Sequence, residues 1–206
     1  MKIYSAMNAS KKLHLTVVGA LVAFSSMVQA QTSPWAESYR LEVAGKYAEA
    51  QAQIDPIASE LAVLRSAWLM ALQGRFVDAE KRYLQTLDMN PKSIPALVGV
   101  MNQQMAQLRY VDTIATGQRV LKLSAMDYTA QTNIMFCRWR MSAWADLAKQ
   151  AAEVSPYYPN DVAVLVYRAR AESALGNKKA ARDLYARVID LFPGHIEASN
   201  YVKGPL

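Results

Sequence analysis

The sequence predicts an all-α fold, a helical solenoid of about five helix–turn–helix repeats closed by a C-terminal capping helix. Three observations carry this. First, the stretch LQGRFVDAEKRYLQTLDMNP at 72–91 returns as ALGNKKAARDLYARVIDLFP at 174–193. Gly74 and Gly176, Ala79 and Ala181, Tyr83 and Tyr185, Asp88 and Asp190, and Pro91 and Pro193 share one offset of 102 residues. That is three periods of about 34 residues, the length of a two-helix unit that buries its apolar face only by stacking on its neighbours. Second, the same period marks weaker copies in between. Phe76 is followed by Tyr110 and Trp144, Leu87 and Met89 by Leu121 and Leu123, and Pro91 by Ala125 and Pro159. Ser155 and Tyr157 make the fourth copy looser. Third, no stretch of useful length alternates with the period of a strand.

The first 30 residues read as a secretory signal. Lys2, Lys11 and Lys12 make a positive start without any acid, residues 15–24 are apolar apart from Thr16 and Gly19, and Val28-Gln29-Ala30 offers a small-x-small cleavage site. Cleavage is expected after Ala30. A spanning helix needs about 20 apolar residues and this run is too short unless it stays uncleaved with its flanks drawn in; a retained membrane anchor is the alternative, and no membrane span is expected after cleavage. The chain left, 31–206, has 176 residues and suits one domain. Loss of three lysines and no acid lowers the formal charge from +6 to +3. No basic run suggests nucleic acid. The one cysteine, Cys137, excludes an internal disulfide. An exported chain without disulfides points to a periplasmic or secreted bacterial protein held together by its apolar core.

The repeats are expected at about 31–59, 60–93, 94–127, 128–161 and 162–195, with the cap at 195–203. Ser33-Pro34 starts the first unit as N-cap and first-turn proline. This unit is short. Gly45 lies 29 residues before Gly74, and its second helix stops near Asp55-Pro56. The second unit has helices at about 60–72 and 77–89, with Gly74 turning between them and Pro91 ending the second. Ala67 and Ala79 let the two helices approach, and Tyr83 fills their crossing. The third unit has Thr113 and Gly117 where alanine and an aromatic are expected. The fourth carries Ser142, Trp144, Leu147, Ala151 and Pro159. The fifth repeats the second with Ala169, Gly176, Ala181, Tyr185 and Pro193, and Asn160-Asp161 cap its first helix. HIEASNYV after Pro193 reads as the closing helix, ended by Gly204-Pro205.

These residues resemble the tetratricopeptide repeat family over 31–206. The resemblance implies a right-handed solenoid in which the first helix of each unit, helix A, lines a concave groove for peptide or protein segments. By register the groove positions are Leu64, Trp68 and Leu72, then Val98, Asn102 and Met105. Thr132, Asn133, Phe136, Trp139 and Arg140 follow in the fourth unit, and Val166 and Arg170 in the fifth. Aromatic, apolar and arginine side chains at solvent-facing positions point to a partner. The alternative is that Trp68, Phe136 and Trp139 turn inward against the next helix. Family members that clamp a C-terminal carboxylate use groove lysines with asparagines. The lysines are absent here, so an extended or helical apolar segment is the expected guest.

Little else could carry chemistry. His195 lies alone in the turn after the last repeat and reads as a cap or solvated turn residue. Cys137 falls on helix A of the fourth unit and reads as a small buried hydrophobe. Neither a glycine-rich phosphate loop nor metal-ligand spacing occurs, so no cofactor is expected. The expected function is a non-catalytic periplasmic adaptor or scaffold whose partner is another cell-envelope protein or a peptide segment of one. The alternatives are a self-associating structural protein, hence a possible homo-oligomer, and a thiol-dependent redox element built on Cys137.

Overall fold

A computed structural model describes residues 33–204, and every described element is helical. The expected signal at 1–30 and Pro205 lie outside the described residues. In chain order the helices are α1 Pro34–Val43, α2 Tyr47–Ile54, α3 Glu60–Leu72, α4 Phe76–Met89, α5 Ile94–Ala106 and α6 Tyr110–Leu123. Then come α7 Tyr128–Arg140, α8 Trp144–Val154, α9 Val162–Ala174, α10 Lys178–Leu191 and α11 Ile196–Lys203. They pair as α1/α2 to α9/α10, with α11 as the unpaired cap. Each helix packs against the next. The odd-numbered helices α3, α5, α7 and α9 also touch one another along the stack, and no comparable contact joins α4, α6, α8 and α10. The A helices therefore form the inner, concave layer.

Local chemistry sets the ends. Ser59, Asp127 and Asp161 cap α3, α7 and α9, each side chain accepting from a backbone N–H three residues on. His195 does the same for α11 through Nδ1, 3.2 Å from the Ala198 N–H. Within each pair the turn uses one residue at positive φ: Gly45 at 73°, Gly74 at 75° and Gly176 at 85°. The third and fourth units keep this turn without the glycine. Leu108 sits at 60° and Ser142 at 56°, each at a cost of about 1–2 kcal/mol for its Cβ. The backbone period is thus stricter than the sequence period.

Two units are clipped by proline. α2 ends at Ile54 ahead of Asp55-Pro56, as the sequence suggested. α8 ends at Val154 ahead of Ser155-Pro156, earlier than Pro159 would have ended it. Both prolines lack the N–H that the next helical hydrogen bond requires. The following turn is fixed by Tyr158, whose hydroxyl donates to the Met126 carbonyl, and by Tyr128, whose hydroxyl donates to Asp161 at 3.0 Å.

The core runs through the stack as linked apolar clusters. Around α3–α6 it holds Ala67, Ala79, Leu97, Val100, Met101 and Val120, with Ala67 and Ala79 fully buried at the crossing where small side chains were expected. Burying one such large aliphatic side chain contributes about 1.5–3 kcal/mol. Gly117, in the place of Tyr83 one repeat on, makes room for Ile134: a methyl group there would lie 2.8 Å from its side chain. Val166, expected in the groove, is 6% exposed and packs with Leu165, Tyr185 and Val188 instead. A shift of one position around a helix turns a side chain by about a quarter turn, enough to exchange groove for core.

Candidate functional site

The concave face carries two adjoining cavities that share Asn102. The first, about 680 Å³, lies between α1, α3 and α5. Its walls are Trp35 and Tyr39 from α1, Leu61, Leu64 and Trp68 from α3, and Pro95 and Val98 from α5. Its floor is Tyr83, which reaches through from α4 because Gly99 leaves the space above it open. Burial pushes the Tyr83 hydroxyl up to about 12. Arg65 also lines this cavity, but its charge is answered. The guanidinium stacks on Tyr39 at 3.6 Å, Nε donates to Ser38 at 2.9 Å, and Nη2 lies 2.9 Å from Glu42. That last contact is ionic proximity without the alignment of a hydrogen bond.

The second cavity, about 490 Å³, lies between the α5–α6 turn, α7 and α9. Met105, Leu108, Tyr110, Tyr128, Phe136 and Tyr167 make it strongly aromatic and apolar. Asn102, Asn133 and Arg140 supply its polar groups. Asn133 donates to Asn102 at 2.9 Å, tying α7 to α5 across the groove floor. Phe136 meets Tyr110 and Trp139 edge-on, with ring centroids 6.2 and 5.8 Å apart. A third hollow of about 400 Å³ opens beyond Trp139, lined by Trp144, Arg170, Tyr185, Glu197 and Tyr201.

The residues singled out from the sequence fall in different places. Leu64 and Trp68 wall the first cavity. Trp68 is 47% exposed and its indole N–H donates to Glu42 at 2.9 Å. Asn102 belongs to both cavities, and Met105, Asn133, Phe136 and Arg140 to the second. Leu72 lies outside both and packs with Leu41, Ala50 and Leu69 against the first helix pair. Trp139 is divided: one side packs on the α8–α9 core and the other lies under Arg170, 4.4 Å from the guanidinium carbon. Arg170 is held within the chain. Its Nε and Nη2 form a fork on Glu197 of α11 at 2.8 and 2.5 Å, and Tyr185 donates to the same carboxylate at 2.6 Å. The arginine fork, then the tyrosine, hold Glu197 below the usual carboxylate range.

Trp35, Tyr39, Leu61, Pro95, Leu108, Tyr110, Tyr128 and Tyr167 also line the two cavities and are not among the groove positions given by register. Trp35 and Tyr39 stand four apart on the helix after Ser33-Pro34, a spacing that puts them on one face. That signal was available in the sequence. Leu108 was not legible in this role, because it occupies a turn position where only a glycine was expected to matter.

Among the described residues no three histidine, cysteine, aspartate or glutamate side chains gather as a metal site, and no helix is long and apolar enough to cross a membrane. Cys137 is fully buried in α7, and burial pushes its thiol up to about 11 against a weaker opposing hydrogen bond with Thr113.

Comparison with known proteins agrees with this geometry. A family model described as tetratricopeptide repeat matches residues 163–195. No curated protein matches the chain. Among solved structures, the chain is similar to YrrB, a tetratricopeptide protein with an unusual peptide-binding site. The identity is 14%, the TM-score 0.70, and the match covers 89% of this chain and 97% of that one. A tetratricopeptide repeat protein from Parabacteroides merdae gives 13% identity and a TM-score of 0.72, over 81% of this chain and 68% of that one. MamA from Desulfovibrio magneticus RS-1 gives 12% and 0.68, over 77% and 93%. At these identities the likeness is one of fold.

Proposed function

The chain carries a tetratricopeptide repeat within a solenoid of that fold, and on that premise we propose that it is a non-catalytic adaptor or scaffold that binds a segment of another protein in its concave groove. One observation carries the reading. Trp68 stands about half exposed beside Trp35, Tyr39, Leu64 and Val98 around a cavity of about 680 Å³. An apolar, aromatic concavity of this size holds several side chains of a guest, and large aromatics are the usual anchors of interfaces. The fold is shared with YrrB, a protein with a peptide-binding site, which supports the same use here. The export pattern of residues 1–30 supports a place in the bacterial cell envelope, with the partner another protein of that compartment. Affinity capture from envelope extract, run beside a Trp68→Ala variant shown by circular dichroism to be folded, tests the reading. A partner held by the first and lost by the second is expected. The same partner held by both would move the contact away from the groove. N-terminal sequencing of the native protein tests export, with Gln31 expected as the first residue.

A second reading is favoured by a separate feature. Met89, Leu123, Tyr157 and Leu191 recur at the repeat period and are 55, 42, 62 and 41% exposed, the first two and Leu191 in the last turns of α4, α6 and α10 and Tyr157 in the turn after α8. Packing of copies through these exposed apolar side chains would make the protein self-associating. Sedimentation that depends on concentration, and loses that dependence in Leu123→Lys, would favour it.

A further inference from the structure

The charges along the groove are unequal, and that inequality says something about the guest. Arg65 is answered by Glu42 and Arg170 by Glu197. Arg140 has neither an acidic partner nor a hydrogen bond among the described residues. Its guanidinium carbon stands 5.9 Å from the Tyr110 ring and 5.8 Å from the Trp139 ring. No acidic residue lines either concave cavity. Arg140 is exposed at the mouth of this cavity, and a guanidinium without an ionic partner beside aromatic walls can take a bidentate carboxylate contact. Beside it, Asn133 and Asn102 use one donor and one acceptor on each other, which leaves the Asn102 amide N–H groups and the Asn133 carbonyl oxygen for a guest. The wall is also built at a conformational cost. Leu108 holds a left-handed turn where the second and fifth units have glycine, and its side chain forms part of this cavity.

We propose that Arg140 receives an acidic side chain from within the guest segment, so that the groove reads a peptide with apolar residues at one end and an aspartate or glutamate further along. This rests on the reading of the groove as a peptide site. Position within the segment follows from what lies past Arg140. A separate hollow lies beyond Trp139, between α7, α9 and α11, so a guest chain that runs past the arginine has a further recess to meet there. Spacing follows from the stack. From Trp68 on α3 to Arg140 on α7 is two helix-to-helix steps of about 8–10 Å each. An extended chain covers this in about five or six residues at roughly 3.3 Å per residue.

The test is selection of random peptides, displayed with free C-termini, on the full chain, followed by affinity measurements on synthetic copies. Selected peptides are expected to carry an apolar cluster and an acidic residue about five or six positions away. Changing that residue to Gln or Asn should weaken binding about two- to fivefold, and amidating the C-terminus should not. Arg140→Gln should give the same loss and make the peptide's own change silent. Arg138→Gln is the control for net charge, because Arg138 is engaged by Gln150 at 2.8 Å away from the groove. If Trp68→Ala abolishes binding while Arg140→Gln leaves it unchanged, the acidic contact is wrong and the groove reading stands. If only C-terminal amidation weakens binding, the carboxylate is a chain end and the proposal is overturned in that form. If no peptide is selected, or none depends on Trp68 or Arg140, both readings fail.

Discussion

Gly99 of α5 lies so close under the Tyr83 ring of α4 that a methyl group on its α-carbon would overlap the ring. The contact sets the depth of the first cavity, because Tyr83 is its floor. It also reverses the ordinary rule that alanine in mid-helix is better than glycine by about 0.5–1 kcal/mol. Gly99→Ala is expected to destabilise the fold by about 1–3 kcal/mol, the usual range for overpacking, and to weaken guest binding by displacing the tyrosine. Urea unfolding reads the first effect. A more stable variant would mean that the ring is not seated as described.

The third and fourth units hold a side chain in a left-handed turn where the second and fifth have glycine. Ser142 is exposed and its side chain makes no hydrogen bond within the described residues. Ser142→Gly should therefore stabilise by about 0.5–1 kcal/mol, the strain relieved less the added freedom of the unfolded chain. Gly74→Ala makes the opposite change and should cost about 1–2 kcal/mol. Thermal melts of the two variants, run together, are expected to move in opposite directions.

The cap α11 is tied on by Glu197, and its stability contribution has a defined pH dependence. Arg170 and Tyr185 hold the carboxyl below its ordinary value. A carboxyl depressed in the folded state stabilises above its unfolded value of about 4.3 and loses that contribution as the pH falls through the folded value. Glu197→Gln should thus melt earlier than the parent at pH 6–7, and the gap should close below about pH 4. An equal gap at both ends would assign the effect to packing instead of charge.

Cys137 tests the thiol-based alternative. With no exposed surface and a thiol pushed up to about 11, it should not react with a thiol reagent at pH 8 until the chain unfolds. Its labelling rate should follow the unfolding equilibrium in urea. Rapid labelling of the native protein would restore a redox role.

The pairing of helices was legible because two units, 102 residues apart, keep every feature that matters: a glycine for the left-handed turn, alanines at the crossing, a tyrosine across it and a proline after it. The middle units were harder because they meet the same geometry with other residues, Leu108 and Ser142 in the turns and Ile134 in the space left by Gly117. Register puts Trp68, Phe136 and Arg140 at groove positions but leaves an inward turn open for the two aromatics, and the structure places all three in cavity walls. Register could not place Leu72 and Val166, since one residue's rotation decides between groove and core and periodicity does not resolve it. Arg170 reads as free in the sequence because Glu197, its partner, lies 27 positions away on the cap.

Site-specific photo-crosslinking in cells decides whether the concave face is the working surface. A photoreactive phenylalanine derivative placed at Val98, in the wall of the first cavity, is compared with the same group at Leu84, exposed on α4 and absent from both cavity walls. A discrete adduct with an envelope protein is expected from Val98, absent from Leu84 and lost in the Trp68→Ala background. An adduct from Leu84 with none from Val98 would contradict the groove reading and assign the contact to the outer helices.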